Sequence, residues 1–190
     1  MKKVFWGMLL TSTALVTIVI GLWGGLLLAG LGGGGFLYLL VGLVTALGYY
    51  LVWQGAASLP QSQSWEWAGK IAKVLCAYTV ATALLGVLPL QLPSTMTLIL
   101  NYVSSLGSFF ALYMIVLGVR ELQFSARADL GAEKLWKAFV AYVVAGLLTN
   151  LLGGVLGFVL SIVELVAYIA ILVLLAKAAR KYENDEGFRY

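Results

Sequence analysis

Between Lys3 and Glu66 this chain carries no charged side chain, and none appears from position 74 to position 119. A third apolar stretch, 138 to 176, is interrupted only by Glu164. One helical crossing of a hydrocarbon core roughly 30 Å thick takes about 20 residues. Each stretch is therefore too long for one crossing and suits two, with a turn between them. A soluble domain carries about 25% charged residues. This chain of 190 residues has 11% charged and 62% hydrophobic residues, and its mean hydropathy is +0.99. The solvent that suits it is lipid.

Turn-forming residues sit near the middle of each stretch. The first holds Gly30, Gly32, Gly33, Gly34 and Gly35, the second Pro89, Gln91, Pro93 and Ser94, and the third Asn150, Gly153, Gly154 and Gly157. Glycine and proline punctuate helices at such places. The pattern predicts helices at about 4–28, 36–57, 69–89, 94–118, 134–151 and 156–179. The expected fold class is all-α: a polytopic integral membrane protein of six transmembrane helices arranged as three hairpins (about 4–57, 69–118 and 134–179). These form a single domain, 1–190, with a short tail at about 180–190. The solid apolar runs lack the alternation of a membrane β-barrel.

All 12 Lys and Arg fall on one side of this arrangement, in Lys2–Lys3, Lys70–Lys73, Arg120–Lys137 and Lys177–Arg189. The positive-inside rule then puts both termini and both long loops in the cytoplasm, and the protein in the cytoplasmic (inner) membrane as a multi-pass chain. Trp6, Trp53, Trp65, Trp67 and Trp136 lie near the same face, as an interfacial belt would. Lys2 and Lys3 ahead of an apolar run suggest a signal peptide, but the run far exceeds the 7–15 residues typical of a signal core, so an uncleaved first span is expected. The net charge of +4 comes from bases in scattered pairs that suit anionic headgroups. They form no dense basic face for nucleic acid.

A pattern recurs along the chain. Lys70, Lys73, Ala77, Tyr78, Val80, Ala81, Leu84 and Leu88 are matched in order and spacing by Lys134, Lys137, Ala141, Tyr142, Val144, Ala145, Leu148 and Leu152. Both copies enter from the basic side, so the expectation is a parallel hairpin duplication, a device transporters use, set against coincidence of composition. It would put Tyr78 and Tyr142 at equal depth, facing each other or sitting in the interfacial belt.

Glu164 is the one ionisable residue expected within the hydrocarbon. Counted from Gly154, it lies roughly 15 Å along the helix at about 1.5 Å per residue, near the midplane. An acid there costs on the order of 2.5–3.5 kcal/mol on insertion scales and generally faces the bundle interior. With no base at that level the protonated acid is favoured. Ser161 and Tyr168 share its face. Asn101 is the expected hydrogen-bonding partner from another helix, with Ser104 and Ser105 one turn further. Glu164 reads as a proton- or cation-linked binding residue, as a polar clamp, or as a contact for a partner subunit. Asn150 lies nearer the outer surface, as a cap or turn residue.

Small-residue pairs mark expected close helix approaches: Gly21 with Gly25, Gly153 with Gly157, and Ser104 with Ser108. Gly32–Gly35 lacks the Lys and Ser/Thr of a phosphate loop and reads as a turn. Within Arg120–Lys134, Leu122, Phe124 and Leu130 interleave with charges, which suggests a short interfacial element, with Asp129 capping a helix near Glu133. The tail from Lys177 is expected to continue the sixth helix into water.

The chain has no histidine and one cysteine, Cys76. Rhomboid-type Ser–His chemistry, haem ligation and zinc hydrolysis all lack their ligands or bases, and Asp129 and Asp185 both sit in cytoplasmic segments. No enzyme, metal or cofactor is expected. Two readings remain. One is a small transporter or membrane-embedded substrate-binding subunit for a small apolar or cationic ligand. Its midplane site would comprise Glu164, Asn101, Ser161, Tyr168, Tyr78 and Tyr142. The other is a noncatalytic accessory or assembly subunit of a membrane complex, favoured by the few polar residues in the spans. The expected partners are the bilayer and either a small ligand or a partner subunit. A single acid per chain would also form a ring in a homo-oligomeric pore.

Overall fold

The computed structural model describes residues 1–12, 34–59, 62–85, 93–126, 129–152 and 154–184. Its elements are α1 Lys2–Thr11, α2 Gly34–Ala57, α3 Gln63–Leu85, α4 Ser94–Ala126, α5 Ala132–Leu152 and α6 Gly154–Asn184. Among the described residues four stretches are long and apolar enough to cross a membrane: Leu39–Ala57, Gln63–Leu85, Ser94–Ser125 and Gly154–Asn184. The expected pair Gly21 and Gly25, the remainder of the first span, the turns at 30–33 and 89–91, and Gly153 lie outside the described residues.

Several helices run past the ends that hydropathy assigns. Helix α3 starts at Gln63 rather than at 69, where the Ser62 Oγ accepts from the Trp65 N–H at 3.4 Å. Helix α4 continues to Ala126 rather than stopping at 118. The expected interfacial element is thus in part the last turns of α4, with Leu122 and Leu130 buried in the core. Helix α6 reaches Asn184 rather than 179. Loss of hydrophobicity marks the edge of the apolar slab, whereas a helix ends only where its orphan backbone groups find other partners.

The α4–α5 connection shows such partners. The Gln123 Oε1 of α4 accepts from the Leu130 N–H at 3.1 Å and the Ala132 N–H at 3.0 Å. The Asp129 Oδ1 accepts from the Gly131 N–H at 2.9 Å, a short Asx turn before α5. Gly131 has φ 77°, a left-handed conformation that glycine adopts without a Cβ penalty.

Consecutive helices pack side by side, and α6 closes against α1, so the six described helices form a ring in chain order. Packing is sparsest at the α4–α5 and α6–α1 seams. Polar links gather at one end of the ring. Lys2 pairs with Glu183, and the Lys3 Nζ donates to the Gln54 Oε1 at 3.3 Å. The Ser64 Oγ donates to the Glu121 Oε1 at 2.6 Å, and the Lys181 Nζ to the Asp129 carbonyl at 2.8 Å. This is the base-bearing end. Lys70 lies over the Trp67 ring and Lys73 over the Trp53 ring, each at 5.2 Å.

The core sits at that end too, in Val4, Val52, Trp65, Ile115, Leu135 and Leu175. Trp65, expected in the interfacial belt, is instead 2% exposed, its indole laid on Gly118, where a Cβ would meet the ring at 2.6 Å. Helices α1 and α2 meet backbone to backbone: a Cβ on Gly7 would lie 2.6 Å from the Gly48 carbonyl oxygen, and one on Gly48 2.8 Å from that of Gly7. Such approaches let helices associate where lipid removes the hydrophobic drive. Toward the other end large apolar side chains face outward, among them Leu98, Ile99, Leu151, Val155 and Phe158.

Candidate functional site: a polar cavity inside the helix ring

The ring encloses a cavity of about 860 Å³ to which all six described helices contribute. Val52, Ala111 and Leu112 form its wall toward the packed end and are buried, whereas Thr97 and Asn101, toward the uncharged end, are exposed. Among the described residues the lining is buried toward the base-bearing end and exposed toward the other.

Glu164 reaches the cavity from α6. Its carboxylate lies against Gly146 of α5, where a Cβ would be 3.2 Å from Oε1. One helical turn on, Tyr168 donates its hydroxyl proton to the Met8 carbonyl of α1 at 2.8 Å, which ties α6 to α1 across their sparse seam. The rings of Tyr168 and Tyr142 lie 5.7 Å apart and tilted by 52°, an arrangement favoured by the ring quadrupoles. Tyr49 of α2 meets the Ser108 Oγ of α4 at 2.6 Å, and Tyr78 of α3 donates to the Leu100 carbonyl at 2.9 Å. Tyrosines thus link α6 to α1, α5 to α6, and α2 and α3 to α4.

The structure brings Glu164, Asn101, Ser161, Tyr168, Tyr78 and Tyr142 to this one cavity. Ser104 and Ser108, expected as a close-packing pair, also line it. Gly157 is buried with a Cβ position 3.5 Å from the Thr149 carbonyl oxygen of α5, an ordinary contact. One expectation is corrected: no hydrogen bond joins Asn101 to Glu164 among the described residues. Asn101 stands exposed toward the uncharged end, while the Glu164 carboxylate turns onto α5 at Gly146. Tyr78 gives its proton to Leu100 rather than to Tyr142.

Sequence reasoning missed Thr11, Thr45, Tyr49, Thr79, Thr82 and Thr97, all on the wall. A signal existed. Thr97, Asn101, Ser104, Ser105 and Ser108 repeat at the three- and four-residue spacing that puts side chains on one helix face, and Thr79 and Thr82 do the same on α3. Phe109 closes the wall between α4 and α5, and it also lines a wholly apolar outer groove of about 290 Å³ at that seam.

Among the described residues no three His, Cys, Asp or Glu side chains group as metal ligands. The chain matches no protein-family model, and comparison with curated proteins and with solved structures returns no similar one.

Proposed function

We propose that this chain is a six-span, three-hairpin protein of the cytoplasmic membrane, with both termini cytoplasmic. In this reading it binds a small ligand at Glu164 as a transporter or as the substrate-binding subunit of one, and it catalyses no reaction. The observation that carries the reading is the cavity. Scattered along the chain, the spans' few polar residues are too sparse for a water-soluble substrate; gathered on one wall, they supply a hydroxyl, amide and carboxylate lining of a size usual for small-molecule sites.

The direction of access follows from the same arrangement. Bases favour the cytoplasmic side and mark the end where the described lining is buried, so in this reading the more exposed part of the lining, at Thr97 and Asn101, faces away from the cytoplasm. The sparse α4–α5 and α6–α1 seams support a second form, in which the α5–α6 hairpin carrying Glu164 shifts against the rest, as repeat units do in alternating access.

Native mass spectrometry of the protein released gently from its host membrane tests the reading. A reproducible small-molecule adduct is expected, and it should be lost when the cavity is filled by Ser105→Trp. Release as a bare chain with a second polypeptide at fixed stoichiometry would overturn it in favour of the accessory-subunit reading.

A further inference from the structure

We infer that the ligand of this cavity is an organic cation bearing N–H donors, a primary or secondary ammonium, seated at Glu164. The inference rests on the cavity being a binding site and adds the chemical class of what it binds.

Most hydroxyl protons on the wall are engaged within the protein. A carbonyl oxygen cannot donate, so a hydroxyl in hydrogen-bonding contact with one must turn its single proton toward it. Thr45 donates to Val41 at 2.9 Å and Thr79 to Leu75 at 2.7 Å. Thr82 points at the Tyr78 and Thr79 carbonyls, each at 3.1 Å. Ser161 donates to Gly157 at 2.9 Å and Tyr168 to Met8 at 2.8 Å. The Ser108 proton goes to the Ser104 carbonyl at 2.8 Å, so in its 2.6 Å contact with Tyr49 the tyrosine is the donor.

These hydroxyls, their protons engaged within the protein, offer acceptor lone pairs rather than protons, those of Ser108 and Tyr168 shared with Tyr49 and Thr11. Donors remain on Asn101, Ser104, Ser105 and Tyr142, but the one carboxyl group on the described wall is Glu164, which ionises when a cation supplies its countercharge, and no Lys or Arg lies there. An anion would meet a carboxylate and a field of lone pairs. A bare metal ion would find one carboxylate in a cavity of about 860 Å³, far larger than its coordination sphere. An ammonium gives the carboxylate its countercharge and donates to hydroxyl oxygens, such as those of Thr79 and Thr82, whose own protons are engaged. The Tyr142 and Tyr168 rings beside Glu164 supply π faces for the same cation, and the apolar part of the wall takes its organic body.

The test titrates the full-length protein in lipid nanodiscs with phenethylamine, phenethyl alcohol and trimethyl(phenethyl)ammonium, read by native mass spectrometry and thermal shift. A charge-assisted hydrogen bond contributes enough that phenethylamine should bind about tenfold tighter than the alcohol. The quaternary ion, with no N–H, should fall between them. Glu164→Gln should erase the preference for the amine without changing affinity for the alcohol. Thr79→Val combined with Thr82→Val, which keeps the carboxylate, should weaken the amine by a smaller factor, and the alcohol, with its single O–H donor, by less than the amine.

An alcohol that binds as tightly as the amine, in a manner blocked by Ser105→Trp, would overturn the cation assignment and leave the cavity reading standing. So would amine binding indifferent to both variants. A quaternary ion matching the amine would overturn the N–H requirement. Failure of all three probes to bind, together with release of the protein bare from its own membrane, would overturn both proposals.

Discussion

Glu164 has room on α5 because position 146 is glycine. A Cβ there would stand 3.2 Å from Oε1, close enough to push the carboxylate aside but met by the tip of a flexible side chain. Gly146→Ala should therefore leave the thermal midpoint unchanged or raise it, since alanine in a helix is favoured over glycine by roughly 0.5–1 kcal/mol. The same change should weaken ligand binding, a split that melting and titration of one preparation would read together. Tyr168→Phe removes the proton donated to Met8 at 2.8 Å and should cost about 0.5–1.5 kcal/mol, measured by unfolding in mixed micelles. An unchanged midpoint would mean that the link contributes nothing to holding α6 on α1. Glu164 stood out in the sequence because an acid in an uncharged run is conspicuous, and Ser161 and Tyr168 followed from helical spacing. The pairing with Asn101 did not hold because it depends on how α4 and α6 are rotated about their axes, and a single chain's periodicity carries no phase between helices.

Outside the first span helix positions were readable within a few residues, their ends less so; the helix expected over 4–28 instead ends at Thr11, with Ser12 extended. Hydropathy reports the slab, and Gln63–Ala68, Arg120–Ala126 and Arg180–Asn184 are helical beyond the spans it assigns. The α5 start depends on the Gln123 Oε1, which accepts two backbone N–H groups. Gln123→Ala should cost about 0.5–2 kcal/mol, as loss of a helix cap does, and should loosen 129–132 in limited proteolysis. Glycine spacing was a weaker guide. Gly153 and Gly157 stood out as a motif, yet Gly157 makes an ordinary contact, while the tight crossing lies at Gly7 and Gly48, on different helices, where no spacing rule applies. The two sites should therefore respond differently to one methyl group. Gly48→Ala drives a Cβ to 2.8 Å from backbone atoms of Gly7 and Thr11 and should cost about 1–3 kcal/mol as overpacking. Gly157→Ala, with 3.5 Å available, should stay within about 0.5 kcal/mol of the parent. Equal effects would show that the α1–α2 crossing yields.

At the scale of the whole molecule the described residues are densely packed toward one end and line a cavity toward the other. Its buried side chains concentrate at the base-bearing end, while nearly all of Ser94–Val103 and Gly154–Val163 is exposed. Stability should follow that division, because local opening is cheapest where few side chains are buried. Hydrogen exchange in nanodiscs is expected to be about tenfold or more faster across 94–103 than across 111–122, and uniform rates would contradict the division. Hydropathy hides this division, and only the hydroxyl spacing on α3 and α4 carried part of it. It arises from which residues face inward: tight alanine, glycine and aliphatic contacts at one end, hydroxyl-bearing side chains at the other. The volume so left has a thermodynamic consequence. At about 30 Å³ per molecule in the liquid, a space of about 860 Å³ accommodates tens of waters, some of them against Leu85, Leu100, Phe109 and Leu112. A ligand that fills it returns that water to bulk, so binding should carry a negative heat-capacity change, and its enthalpy should grow more favourable as the temperature rises.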